Sequence, residues 1–194
     1  MLIGSALAAA VASAALTPVA TLSGCDSRAV GAPWNGHLVC GAQLPVSTAH
    51  LMTWDNALQL PFNRPWRRWG TARLVAITER IAADYHARYG RRIVVGDLSR
   101  PRGGHFGREY GGEGHASHQN GLDVDIYYPR RDDAELPPFG LSDVHRRRAQ
   151  WLVDRAERDA GVVFTGHRLR LRRRSSRVRY LVNHDDHLHL RIRR

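Results

Sequence analysis

Five of the eleven histidines in this chain fall in two short segments. They are His115-Ala-Ser-His118-Gln-Asn-Gly-Leu-Asp-Val-Asp125 and His184-Asp-Asp-His187-Leu-His189. Imidazole and carboxylate at such spacings suit one open zinc site, because a catalytic zinc takes three protein ligands and leaves a position for water. Nitrogen donors disfavour calcium and magnesium, which prefer all-oxygen shells. The chemistry to expect is metal-dependent hydrolysis. The other six histidines, at positions 37, 50, 86, 105, 145 and 167, have no such clustering and read as ordinary surface or core residues.

The elements that must position these groups follow from periodicity. Gly121 to Tyr128 alternates with period two, so Leu122, Val124 and Ile126 share one face and Asp123, Asp125 and Tyr127 the other. In the strand expected over His187 to Arg193, Leu188, Leu190 and Ile192 face the core, and His187, His189 and Arg191 face away. If the two strands are neighbours, Asp125 and His189 enter one concave space, with His118 arriving from the end of the Gly-rich loop 97–117. His187 lies two residues from His189, about 7 Å along the strand. That distance suits a base acting on water better than a second bond to the same ion. Zinc–nitrogen bonds require the three donor atoms to lie within roughly 4 Å of one another.

Elsewhere, Thr71 to Tyr89 predicts a helix with Leu74, Ile77, Ile81 and Tyr85 inward and Gly90 as its stop. Ile93 to Val95 is a short buried strand, Ser142 to Ala160 a second helix, and Val162 to Thr165 and Arg177 to Val182 further strands. Residues 25–70, rich in Pro, Gly and Trp, read as an extended arm with one or two short strands such as His37 to Cys40, and Trp54, Trp66 and Trp69 as packing anchors. Residues 71–194 form the core of the domain. The order implies a single α+β domain with a mainly antiparallel sheet flanked by helices.

Residues 1–24 are apolar and Ala-rich and read as a secretory signal, although they lack a basic start. The protein is then exported to the periplasm, envelope or exterior. The two cysteines leave alternatives open. Cys25 and Cys40 can pair as a disulfide, or Leu22-Ser23-Gly24-Cys25 can serve as a lipobox whose cysteine carries a lipid, the one route to a membrane. The net charge of +11 comes from arginine alone, since the chain has no lysine. A GC-rich genome explains that preference. A basic exported protein suits an anionic polymer such as the cell wall. No zinc-finger or helix-turn-helix signature supports a nucleic-acid partner. The run Arg168 to Arg174 alternates Arg with Leu169 and Leu171, the pattern of a hairpin strand with one solvated face.

Ser117 to Asp125 together with His187-Leu188-His189 resembles the penicillin-insensitive murein endopeptidases, within the wider group of lysostaphin-type enzymes, D-Ala-D-Ala metallopeptidases and hedgehog domains. Pro33-Trp-Asn-Gly36, Leu44-Pro45, Arg68-Trp-Gly-Thr71, Gly96-Asp97-Leu98-Ser99 and Gly103-Gly104 extend the likeness over roughly residues 28–194. The resemblance implies that His118, Asp125 and His189 bind Zn2+. It implies His187 as general base, His184 as a second catalytic histidine that holds substrate or stabilises charge, and His115 as an accessory metal ligand. It implies a hedgehog-like fold and peptidoglycan as partner, with hydrolysis of D-alanyl cross-links that penicillin does not block. Pro129 to Glu135 lacks a histidine, so the metal contacts that follow this strand in a bacterial relative do not carry over, and the roles of Asp185 and Asp186 stay open. Two rival readings are a D,D-carboxypeptidase or dipeptidase on the same scaffold, and a non-catalytic zinc-bearing wall-binding module.

Overall fold

A computed structural model describes residues 25–110 and 116–194. Its elements in chain order are β1 (Arg28–Ala32), β2 (Asn35–Val39), β3 (Ala42–Gln43), β4 (Leu51–Asp55), β5 (Leu60–Pro61), β6 (Trp69–Gly70), α1 (Ala72–Tyr89), β7 (Ile93–Val95), β8 (Asp123–Tyr127), α2 (Arg146–Ala156), β9 (Ala160–Thr165), β10 (Val178–Tyr180) and β11 (His187–Ile192). The chain is a single α+β domain. Seven strands form one sheet in the order β10-β9-β11-β8-β7-β4-β5. Neighbours are antiparallel at β9–β11, β11–β8, β8–β7 and β4–β5, and parallel at β10–β9 and β4–β7, so the sheet is mixed with antiparallel pairing dominant.

The two helices pack on one face of this sheet. Leu74, Ile77, Ile81 and Tyr85 of α1 and Leu152 and Val153 of α2 share a single apolar cluster with Leu122, Val124, Ile126, Leu188 and Leu190. The other face carries a smaller cluster of Met52, Trp54, Val94 and Tyr127 at one end. The rest of that face at β8 and β11 is polar.

Helix α1 starts where Thr71 accepts a hydrogen bond from the Leu74 amide, and stops where Gly90 adopts a left-handed φ of 64° and donates to His86. Both ends match the expected signals. Helix α2 is shorter than the expected 142–160. Leu141–Asp143 forms a separate 3-10 turn, Val144 bridges to Arg130, and the His145 ring caps the true start. Its C-terminal end yields to β9, where Ala160 pairs with Ile192, so Gly161 lies inside a strand and is not a helix stop.

The segment expected as an arm carries six short strands. β1 and β2 form a hairpin, β3 pairs with β6, and β4 enters the main sheet beside β7. Cys25 and Cys40 form a disulfide with Cα atoms 6.0 Å apart, so the sulfur that a lipid would need is already bonded. Residues 1–24, and the secretory signal read there, lie outside the described residues. Among the described residues no helix is long and apolar enough to cross a membrane.

The run 168–174 forms no strand. Leu169 and Leu171 are buried and the arginines exposed, as alternation implied, but no backbone ladder joins the run to β10, the strand at that edge. The segment therefore packs its leucines without a ladder.

Two features brace β8 and the loop before it. Arg67 and Asp97, both buried, form a two-pronged ion pair at 2.5 and 2.7 Å, and Asn63 donates to the same carboxylate. Asp97 in turn accepts through its carbonyl from the Asp125 amide. Gly103, at φ 69°, lies so close to its neighbours that a Cβ there would stand 2.2 Å from the Gln119 carbonyl oxygen and 2.6 Å from the Leu38 amide nitrogen. Those neighbours are backbone and cannot swing aside. Gly103→Ala is expected to destabilise the fold by more than about 1 kcal/mol, read as a lowered melting temperature, and a melting curve equal to wild type would contradict this packing.

Candidate functional site

The register of β8 against β11 places His189 opposite Asp125 and His187 opposite Tyr127. A cross-strand pair brings side chains on one face to about 5 Å or less. His189 Nδ1 accordingly lies 3.2 Å from Asp125 Oδ1. The third member comes from the loop before β8. His118 has a left-handed φ of 68°, a conformation that His tolerates better than most residues. It is held there because Gln119 donates to Pro33 of the hairpin turn and Gly104 donates to Gln119. His118 Nε2 then lies 3.4 Å from Asp125 Oδ2. His118, Asp125 and His189 are all buried, and one donor atom from each lies within 4.8 Å of the others. The two contacts through Asp125 meet the spacing expected for zinc bonds, and the full set is slightly wider.

The tautomers follow from the partners. His118 Nδ1 sits 2.8 Å from the Leu98 carbonyl, which can only accept, so Nδ1 carries the proton and Nε2 offers a lone pair to the cluster. His189 Nε2 sits 2.7 Å from Asp123 Oδ1, so its Nδ1 faces the cluster. Asp123, fully buried, also accepts from Arg191 Nε at 2.6 Å. Each imidazole thus has its outer nitrogen tethered and its inner nitrogen turned to a common centre, the arrangement that orients metal-ligating histidines.

Charge points the same way. Burial alone would lower the pKa of His189, but its hydrogen bonds to Asp123 and Asp125 outweigh burial and raise it to about 9. Burial alone would raise the pKa of Asp125, but the imidazoles of His118, His187 and His189 around it hold it well below the usual carboxylate range. A pocket that keeps a proton on a buried imidazole stabilises a cation at its centre, and two imidazoles with one carboxylate fit zinc.

His187 is half-buried beside this cluster. Its Nδ1 donates to Asp186 Oδ1 at 2.7 Å, which leaves the Nε2 lone pair 3.8 Å from Asp125 Oδ1. His184 stacks near it, with ring centres 4.6 Å apart. His184 Nδ1 donates to the Val182 carbonyl at 2.6 Å, so its Nε2 can only accept while the ring is neutral. Burial, and then the charge of His187, lower its pKa to about 4. His115 lies outside the described residues.

Sequence reading passed over Asp123 and Arg191. Both sit on the polar faces of β8 and β11, so alternation marked their direction, but no local signal says that Asp123 would meet His189. Asp185 and Asp186 separate into two roles. Asp186 orients His187, whereas Asp185 accepts from the Arg168 amide and packs where any side chain at Gly166 would stand. The cleft over the cluster is walled by Trp34, Phe164 and Leu181, from three distant segments.

The family model for penicillin-insensitive murein endopeptidase matches residues 29–171, which include His118 and Asp125 but end before β11. A penicillin-insensitive murein endopeptidase of Klebsiella pneumoniae (strain 342) is 34% identical over 125 residues, covering 63% of this chain and 41% of that protein. The namesake of Salmonella arizonae is 35% identical over 101 residues, covering 52% and 32%. That of Escherichia coli (strain SE11) is 31% identical over 102 residues, covering 53% and 33%. The matched stretches thus span well under half the length of these curated relatives.

His184 gives a pH test in chelator-treated protein. Its folded pKa of about 4 lies below its ordinary 6.5, so the unfolded chain binds the proton more readily between those values. Its contribution to stability is therefore complete above pH 6.5 and falls away as pH drops toward 4. Replacing His184 by Gln should flatten the melting temperature across that window, and an unchanged slope would refute the assignment.

Proposed function

The chain belongs to the penicillin-insensitive murein endopeptidase family, and on that premise we propose that it is an exported zinc-dependent peptidoglycan endopeptidase that hydrolyses D-alanyl cross-links. The observation that carries this reading is the convergence of His118, Asp125 and His189, with both imidazoles fixed in the tautomer a metal needs. These three would hold the zinc ion, and His115 would be an accessory ligand. When bound, zinc lowers the pKa of a water far below its bulk value, to about 7, and polarises a carbonyl.

The chain's own residues do the rest. Asp186 fixes the His187 proton on Nδ1, so Nε2 can take a proton from the attacking water and pass it to the leaving amine nitrogen. His184 is neutral at working pH, and its free Nε2 accepts, so it would hold a substrate N–H and not an oxyanion. Arg191, through Asp123, keeps His189 from rotating. Trp34, Phe164 and Leu181 line the cleft that would receive the cross-link peptide. The reaction uses no serine nucleophile, so penicillin, which acylates a catalytic serine, has no step of it to block.

The disulfide supports an oxidising, extracytoplasmic setting, with residues 1–24 as the signal, 25–70 as the arm of the domain and 71–194 as the zinc-peptidase core.

Purified protein should open soluble cross-linked muropeptide dimers, lose that activity with a chelator, regain it with zinc, and be indifferent to penicillin. The masses of the products separate cross-link cleavage from trimming of a terminal D-alanine, and turnover at all separates an enzyme from a binding module. His187→Ala should lower kcat by about 10²- to 10⁴-fold with zinc content intact, whereas His118→Ala should lose both. Asp123→Ala should weaken zinc binding by about 10- to 100-fold, measured by competition with a chromophoric chelator. Cleavage that survives complete removal of metal would sink the mechanism.

A further inference from the structure

We infer that the helical layer carries a second, non-catalytic groove that binds a glycan strand of peptidoglycan; this rests on the reading of peptidoglycan as substrate. The groove runs between the end of α1, the outer side of α2 and the segment 167–174. Its floor is aromatic. Tyr89 and Trp151 meet edge to face with ring centres 5.5 Å apart. Its walls are arginine. The Arg88 guanidinium stands 5.6 Å from the Tyr89 ring centre and 6.0 Å from that of Trp151, and exposed Arg147 and Arg172 face it.

Among the described residues these arginines carry no counter-charge, like others on the surface such as Arg28, Arg102 and Arg158; what sets this group apart is its place around an aromatic floor. Elsewhere Arg64 pairs with Asp55, Arg130 with Asp132 and Asp143, and Arg155 with Asp84 and Asp159. Among the described residues, Arg88, Arg147 and Arg172 have no carboxylate within ion-pair distance. The one acid in the groove, Asp154, is engaged by Arg174 at 2.9 Å and by Gln150 at 2.8 Å. A polymer of sugar rings with carboxylate-bearing peptide branches matches both features. An indole or phenol ring offers an apolar face to a sugar ring, and guanidinium pairs well with carboxylate.

The position gives the groove a use. The helices cover the sheet face formed by Val124, Ile126 and Leu190, whereas Asp125 and His189 project from the opposite face. A strand held behind the sheet leaves the cleft free to engage a cross-link on its other side. A cross-link joins two strands, so tethering to one raises the effective concentration of the next bond.

The test uses the full chain with Arg88, Arg147 and Arg172 all changed to Glu, three exposed positions whose substitution leaves the core intact. Co-sedimentation with purified sacculi should fall by about tenfold and become less salt-dependent. Turnover of a soluble muropeptide dimer, too short to span the sheet, should fall far less. Trp151→Ala, verified as folded by circular dichroism, should also weaken retention, and Trp151→Tyr should restore it. A control changes Arg28, Arg102 and Arg158 to Glu. Unchanged retention in the groove variant, an equal loss in the control, or tighter retention on DNA than on sacculi at equal salt would each overturn the proposal. A wild-type protein that fails to cleave the dimer but shows groove-dependent retention would refute the catalytic reading and leave the groove standing.

Discussion

The pairing of β8 with β11 is the constraint on which everything else rests. It sets Asp125 beside His189, and a slip of β11 by one residue would turn His189 to the helical face, away from Asp125, and send Leu188 and Leu190 into the cleft. The register is secured from the apolar side. Val124, Ile126, Leu188 and Leu190 are each fully buried against the helices, so a slip of either strand would expose both of its own aliphatic side chains at once. Burial of aliphatic side chains on one face therefore fixes the positions of polar atoms on the other.

Those polar atoms form a graded set. Innermost are His118, Asp125 and His189; around them stand the Leu98 carbonyl, Asp123 and Asp186, each fixing one ring nitrogen; outside these, Arg191 holds Asp123. A buried carboxylate such as Asp123 is tolerable because it accepts two hydrogen bonds from groups that carry or share positive charge. The same logic applies further along the sheet, where Arg67 and Asp97 neutralise each other and connect to β8 through the Asp125 amide.

Much of this was legible in the sequence because β8 and β11 are regular. Period-two alternation assigned every residue of both strands to its correct face, and α1 was readable from its cap, its apolar stripe and its stop. Legibility failed where direction depends on partners distant in sequence. Alternation in 168–174 reported burial faithfully but not a strand, because burying Leu169 and Leu171 needs no backbone ladder. The start of α2 depended on Val144 bridging Arg130, and the cleft walls come from β9, the hairpin turn and residue 181. Asp123 was seen as a polar-face residue, but its meeting with His189 is a contact across 66 residues and leaves no local trace.

The place of β11 in the sheet has a consequence in time. It lies between β9 and β8 inside the sheet, yet every other described strand precedes it in the chain. A nascent polypeptide cannot hold the assembled cluster until residues 187–192 have been synthesised, and those same residues complete the interior of the sheet. Completion of the scaffold and arrival of the last site histidine are one event. A chain interrupted during synthesis or export lacks His189 and that interior strand together, so no fragment ending before β11 carries the assembled site.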